Sequence, residues 1–148
     1  AERYALGRDS AEGYYRHSFD YDVFRRYLID PFKLAGSAGF VTAVFDHLAD
    51  APVELRWETT QPDSTLIVDG IFLNRPELRG LWNYSIWLDA PSEVAEARLL
   101  KRDGIAGRER YRGAQALYLA EADPRAAATA IIDNADVASP RRVFADAC

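Results

Sequence analysis

Three short apolar runs in this chain each stop at an aspartate, and that shared ending constrains the fold more than any other feature. They are "TLIVD" from Thr65 to Asp69, "YSIWLD" from Tyr84 to Asp89 and "ATAIIDNAD" from Ala128 to Asp136, the last carrying Asp133 and Asn134. Continuous apolar runs of this length mark strands covered on both faces. After the second run, Ala90-Pro91-Ser92 begins a helical pattern to about Arg102, with Ser92 as the expected N-cap and Val94, Ala97 and Leu100 on its apolar side. A second helix is expected from Arg108 to Ala122, where Ala114, Leu117, Tyr118 and Glu121 fall in register. An amphipathic helix is expected to open at Arg75-Pro76-Glu77, and a last one at Ser139-Pro140. Strands of this type alternating with helices predict an α/β protein built on a parallel sheet.

The N-terminal third has a different texture. The stretch "AERYALGRDSAEG" is polar and without clear period, and reads as a loop or arm. Asp20 or Asp22 can cap a helix carrying Val23, Phe24, Tyr27 and Leu28, which should stop before Pro31. Gly36 to Gly39 reads as a turn. Phe40 to Asp46 and Val53 to Thr60 read as two strands of a ribbon joined through His47 to Pro52. Tyr14, Tyr15, Trp57, Trp82 and Trp87 are expected to serve the core and its edges.

Composition removes several function classes. The chain has 148 residues, 49% of them hydrophobic and 28% charged, which is the balance of a globular domain. No apolar run approaches the ~20 residues that span a bilayer, so no membrane role is expected. The net charge of −5 argues against general nucleic-acid binding. The single cysteine, Cys148, can build neither a disulfide framework nor a zinc cluster within the chain, and a reducing cytoplasm is the expected setting. Neither G-x-x-x-x-G-K-[ST] nor G-x-G-x-x-G occurs.

The candidate chemistry lies at the strand ends, because open parallel sheets bind ligands beyond the carboxyl ends of their strands. Asp69, followed by Gly70, can hold a hydrated magnesium ion or can cap a turn. Arg98, Lys101, Arg102, Arg108, Arg110 and Arg112 form a basic run broken by Gly104 and Gly107. Such a run can close over phosphates, or can be a solvated helix end whose cations favour the C-terminal dipole. Phe45, Asp46 and His47 place an aromatic ring, a carboxylate and an imidazole together. That set can stack on and hydrogen-bond a base or sugar, or can be an ordinary turn.

Taken in order, "SFDYDVFRRYLIDPF", "TAVFDH", "LIVDGIFLNRPELRGLWNYSIWLDAP", "RLLKRD" and "QALYLAEADPRAAATAIIDNAD" resemble the uridine kinase-like branch of the P-loop kinases. The likeness is greatest to its actinobacterial-type members and runs from about Arg8 to Val143. The resemblance implies a P-loop NTPase-like fold, a three-layer parallel sheet with flanking helices, and ATP-dependent phosphorylation of a nucleoside or similar small hydroxylated molecule. It gives Asp69 the part of the strand-end acid that helps to place Mg²⁺, a Glu in typical members. Arg98, Arg102 and Arg108 match lid arginines, Phe45 and His47 fall in the base-contacting loop, and Asn134 lies near the adenine of ATP.

The family's phosphate loop and central first strand would precede Ala1. The chain is therefore expected to be the C-terminal portion of one kinase-like domain, with little activity by itself. Where typical members carry "HPDAFD" this chain has "YYRHSFD", which argues against uridine itself as the substrate. The competing expectation is a non-catalytic module that binds a nucleoside or a protein and has lost the phosphate site. A phosphatase or nucleotide hydrolase ranks last, because no nucleophile motif is present.

Overall fold

The computed structural model describes residues 5–104 and 108–145. In chain order the helices and strands are α1 (Ala11–His17), α2 (Tyr21–Phe24), a π-helical segment (Arg25–Ile29), α3 (Asp30–Phe32), β1 (Phe40–Val41), β2 (Phe45–Asp46), β3 (Ala51–Pro52) and β4 (Trp57–Glu58). A 3₁₀ turn (Pro76–Leu78), β5 (Ile86–Asp89), α4 (Ser92–Asp103), α5 (Arg108–Ala122), β6 (Ala130–Asp133) and β7 (Arg141–Ala145) follow. The backbone divides into two compact units, Ala1–Phe19 with Ile71–Cys148, and Asp20–Gly70.

The first unit is a small mixed sheet in the order β5-β6-β7, with helices beside it. β5 and β6 are parallel, Trp87 opposite Ile131 and Asp89 opposite Asp133, as the two apolar runs predicted. The expected last helix is instead β7, antiparallel to β6. A short segment just after Pro140 gains a full set of backbone partners by lying along β6, which outweighs any local helical preference. Parallel pairing therefore covers only part of this sheet. Ile86 and Leu88 are 54% and 61% exposed while Trp87 faces the core, so β5 is covered on one face rather than two.

Residues 5–10 are turns, as expected of a loop, but helix α1 begins within the last three residues of that stretch. Ser10 caps it by accepting the Gly13 N–H at 3.0 Å. Seven residues cannot form a stable helix alone, so tertiary packing holds this one. Tyr15 enters a core of Phe72, Ala114, Tyr118 and Ala122, and Arg16 reaches Glu121 on α5 at 2.6 Å. A Cβ on Gly113 of α5 would lie 2.6 Å from the Ala11 Cβ, so the bare glycine is what lets α1 approach. Phe72 stands at the centre, its ring 5.2 Å from both Tyr15 and Tyr118, although its φ is 61°. That backbone conformation is unfavourable for a bulky residue and persists because the ring is enclosed on several sides.

The helix expected from Arg75 is a single 3₁₀ turn, halted by Gly80 at φ 76°. Its neighbours are tied to α5 and to each other. The Asn74 N–H donates to the Tyr118 hydroxyl at 2.9 Å, and the Trp82 indole donates to the Leu73 carbonyl at 2.9 Å. On α4 the cap position falls on Pro91, with Ser92 the first helical residue and no side-chain cap.

In the second unit Asp20 is the N-cap, accepting the Val23 N–H at 2.9 Å. The helix does not stop before Pro31. It widens into the π segment and continues through α3. The wider turn accommodates a proline that has no N–H to donate and whose ring would press on the preceding turn. The ribbon is antiparallel as expected, but each strand is two residues long, with Val41 opposite Trp57 and Phe45 opposite Pro52. Trp57 is 60% exposed rather than buried, with its ring centre 6.1 Å from that of Tyr27.

Thr65 to Asp69 forms no strand. Ile67 is 86% exposed, and no ladder partner lies beside this run among the described residues. An apolar run favours a buried strand, but only a neighbouring strand with open hydrogen-bonding groups can make it one.

Candidate functional site

At the carboxyl ends of β5 and β6 the chain builds a closely tied loop. The Asn134 N–H donates to the Asp89 carbonyl at 2.7 Å. The Asp133 carboxylate accepts the Ala135 N–H at 2.9 Å, and the Asp136 carboxylate accepts the Ala138 N–H at 2.9 Å. Arg98, on α4, donates from Nη1 to the Asn134 carbonyl at 2.9 Å and from Nη2 to the Ala135 carbonyl at 2.7 Å. Two residues singled out in the sequence for different reasons, Arg98 and Asn134, are thus brought together. The backbone of Asn134 is engaged at both N–H and C=O, whereas its half-buried side-chain amide has no hydrogen bond among the described residues. An amide so placed offers one acceptor and two donors to a ligand edge.

Asp89 is committed to structure: it accepts from the Trp87 indole at 3.1 Å and from Arg125 at 3.1 Å. Nothing in the sequence pattern marked Arg125 as its partner, because the pair is 36 residues apart and meets only once β5 and α5 are packed.

The basic run is mostly engaged by the protein itself. Arg112 forks onto Glu96 with two 3.1 Å bonds and reaches Glu109 at 3.2 Å, linking α4 to α5. Arg110 donates to the Arg8 carbonyl at 2.7 Å and lies over the rings of Tyr14 and Tyr111 at 4.8 and 4.9 Å. Arg102 is exposed on the last turn of α4. Arg108 opens α5, and its side chain lies outside the described residues, as does Gly107. Gly104, the other expected hinge, ends α4 at φ 71°. Glu93, Val94, Ala97, Arg98 and Lys101 line a shallow open depression along α4.

In the second unit Phe45, Asp46 and His47 lie where β2 runs into the turn of the ribbon. Asp46, expected to reach a base or sugar, uses its Oδ1 to hold the turn. That oxygen accepts the Leu48 N–H at 2.8 Å and the Ala49 N–H at 3.1 Å. The Ala49 and then the Leu48 N–H keep its carboxyl below the usual aspartate range. Phe45 and His47 are exposed beside it. Asp69 is exposed, with no hydrogen bond to its carboxylate among the described residues, so it does not cap a turn there.

No group of three or more His, Cys, Asp or Glu among the described residues could enclose a metal ion. A lone open carboxylate still fits Mg²⁺, which is commonly held by one or two carboxylates with water and substrate phosphates completing its shell. Asp69 could supply one such ligand, the others coming from water and substrate phosphates.

Sequence reasoning took Arg75 only as the opening of a helix and gave it no part in the core. It is 5% exposed, pairs with Glu77 at 2.5 Å and donates to the Tyr15 carbonyl. Its burial has no signal in a stretch reading "NRPELRG", where arginine and glutamate look like surface residues.

No protein-family model and no curated protein matches the chain. Among solved structures, that of a possible uridine kinase from Bacillus stearothermophilus is similar, with a TM-score of 0.62 and 22% identity over 87% of this chain. The match covers 62% of that protein, so this chain spans less than two-thirds of its length. At this identity the likeness concerns the fold alone, an α/β arrangement shared with that structure.

Proposed function

We propose that this chain is part of an ATP-dependent kinase acting on a nucleoside-like or other small hydroxylated substrate. The observation that carries the reading is the fold likeness over 87% of the chain, joined to the tied loop at the ends of β5 and β6. In this reading Asn134 meets the nucleotide base with its uncommitted amide. Asp69 would hold Mg²⁺, which when bound draws charge from the phosphate oxygens. Arg102 and Arg108 neutralise the charge that develops on the transferred phosphoryl group. Phe45 and His47 would contact the acceptor, with Asp46 fixing the turn that presents them. No glycine-rich phosphate cradle occurs among these 148 residues. The protein acts on small molecules, in the cytoplasm.

The test is ATP consumption by the full-length protein against a panel of nucleosides and other small polyols, with the Asp69→Asn variant beside it. At least one acceptor should be phosphorylated, and Asp69→Asn should lose roughly 10²-fold or more in rate while melting at the same temperature. Failure of every acceptor, or an unchanged rate in the variant, would count against the reading.

A further inference from the structure

Arg98 has a geometry that a phosphate-clamping arginine does not need. Both of its terminal nitrogens are directed at main-chain carbonyls, those of Asn134 and Ala135, which follow each other immediately after β6. A guanidinium is a rigid planar fork, so two donors aimed at consecutive carbonyls fix the path of the chain at that point. The two opposite N–H groups are fixed as well, Asn134 to the Asp89 carbonyl and Ala135 to the Asp133 carboxylate. Every main-chain polar group of the pair is therefore engaged, and half of those bonds come from one side chain on α4. Arg98 is also part of the wall of the depression along α4.

We infer that Arg98 is a positioning residue: it braces the Asn134–Ala135 turn so that the Asn134 side-chain amide is held ready for the base of a nucleotide. The inference rests on the nucleotide reading above and deepens it, because it moves Arg98 from the phosphate end to the base end of the site. It also makes α4 the element through which the basic run and the base-facing loop are coupled.

Amide hydrogen exchange and ligand affinity together test this, using Arg98→Ala and Arg98→Lys in the full-length protein with ATP and inorganic tripolyphosphate as probes. Arg98→Ala should speed exchange at Asn134 and Ala135 by about tenfold or more, as the loss of two charge-assisted bonds requires, and leave Ile131 unchanged. Its affinity for ATP should fall by a similar factor, about tenfold, with that for tripolyphosphate nearly unaltered. Arg98→Lys should behave like Arg98→Ala, since a single ammonium cannot fork onto both carbonyls. Unchanged exchange at the two amides would overturn the brace. So would an equal loss of ATP and tripolyphosphate binding that lysine restores, because that is the signature of a phosphate contact. A wild-type protein that binds no ATP would instead overturn the nucleotide reading, and with it the ligand named for Asn134.

Discussion

The guanidinium of Arg75 lies 4.2 Å from the centre of the Tyr15 ring and donates to the backbone carbonyl of the same residue. One buried cation thus holds a core helix by its ring and by its main chain. Its charge is balanced by Glu77 at the edge of the core, 2.5 Å away. Burial pushes the Glu77 carboxyl up, but the Arg75 hydrogen bond and charge prevail and leave it below its usual range.

Arg75→Ala should destabilise the protein by about 2–4 kcal/mol, because it orphans the Tyr15 carbonyl and removes a ring contact in one step. Arg75→Lys should recover only part, since an ammonium cannot reproduce the fork. Chemical denaturation measures both. The sign with pH follows from the depressed Glu77 carboxyl. Its contribution is complete above the ordinary glutamate range and is lost as pH falls through the lowered value. In Arg75→Ala that acid-side loss of stability should shrink.

The two core tyrosines should respond oppositely to loss of their hydroxyls. The Tyr15 hydroxyl is buried without a hydrogen-bond partner, whereas that of Tyr118 accepts the Asn74 N–H at 2.9 Å. Tyr15→Phe should be neutral or stabilising by up to about 1 kcal/mol, while Tyr118→Phe should cost about 1 kcal/mol or more by stranding that amide. Equal losses in thermal melts would contradict the assignment.

Burial raises the pKa of both these phenols above the usual 10.0. Their neutral forms therefore favour the folded state. The stabilisation is complete below the ordinary tyrosine value and is lost as pH rises through the raised one. Ultraviolet titration should show a late-ionising fraction of tyrosine that disappears in urea. A single transition at the ordinary value would refute this.

Gly113 sets two effects against each other. Alanine in a helix gains about 1 kcal/mol over glycine. Here the new methyl group would meet the Ala11 Cβ at 2.6 Å, and overpacking of that kind costs about 1–3 kcal/mol. Gly113→Ala should therefore lower the melting temperature, and adding Ala11→Gly should restore it. A stabilised single variant would mean that α1 does not sit against α5 this closely.

Legibility in the sequence followed the range of the forces concerned. Strands within Tyr84 to Asp89 and Ala128 to Asp136, and the span of α5, were readable because apolar period and length are local properties, although both strands are shorter than their patterns. A cap at Asp20 or Asp22 was readable for the same reason, and the structure uses Asp20. Thr65 to Asp69 carried the same signal as β5 and formed no strand, since a strand exists only beside a partner. The segment after Pro140 had too short a pattern to declare itself, and β6 made it a strand. At the candidate site, the grouping of Phe45, Asp46 and His47 was visible as adjacent letters. The use of Asp46 as a turn clasp was not, because it depends on where two later N–H groups point.

What the sequence by itself determined is the pair of apolar strands that end at Asp89 and Asp133, and the two helices between them. Both follow from hydrophobic pattern and turn chemistry acting over a few residues. The tertiary structure alone decided which charges are spent internally. Arg75 went to the Tyr15 carbonyl, Arg98 to the carbonyls after β6, and Arg112 to Glu96. A guanidinium reaches any acceptor within the length of its side chain, and the identity of that acceptor is fixed only when distant parts of the chain pack together.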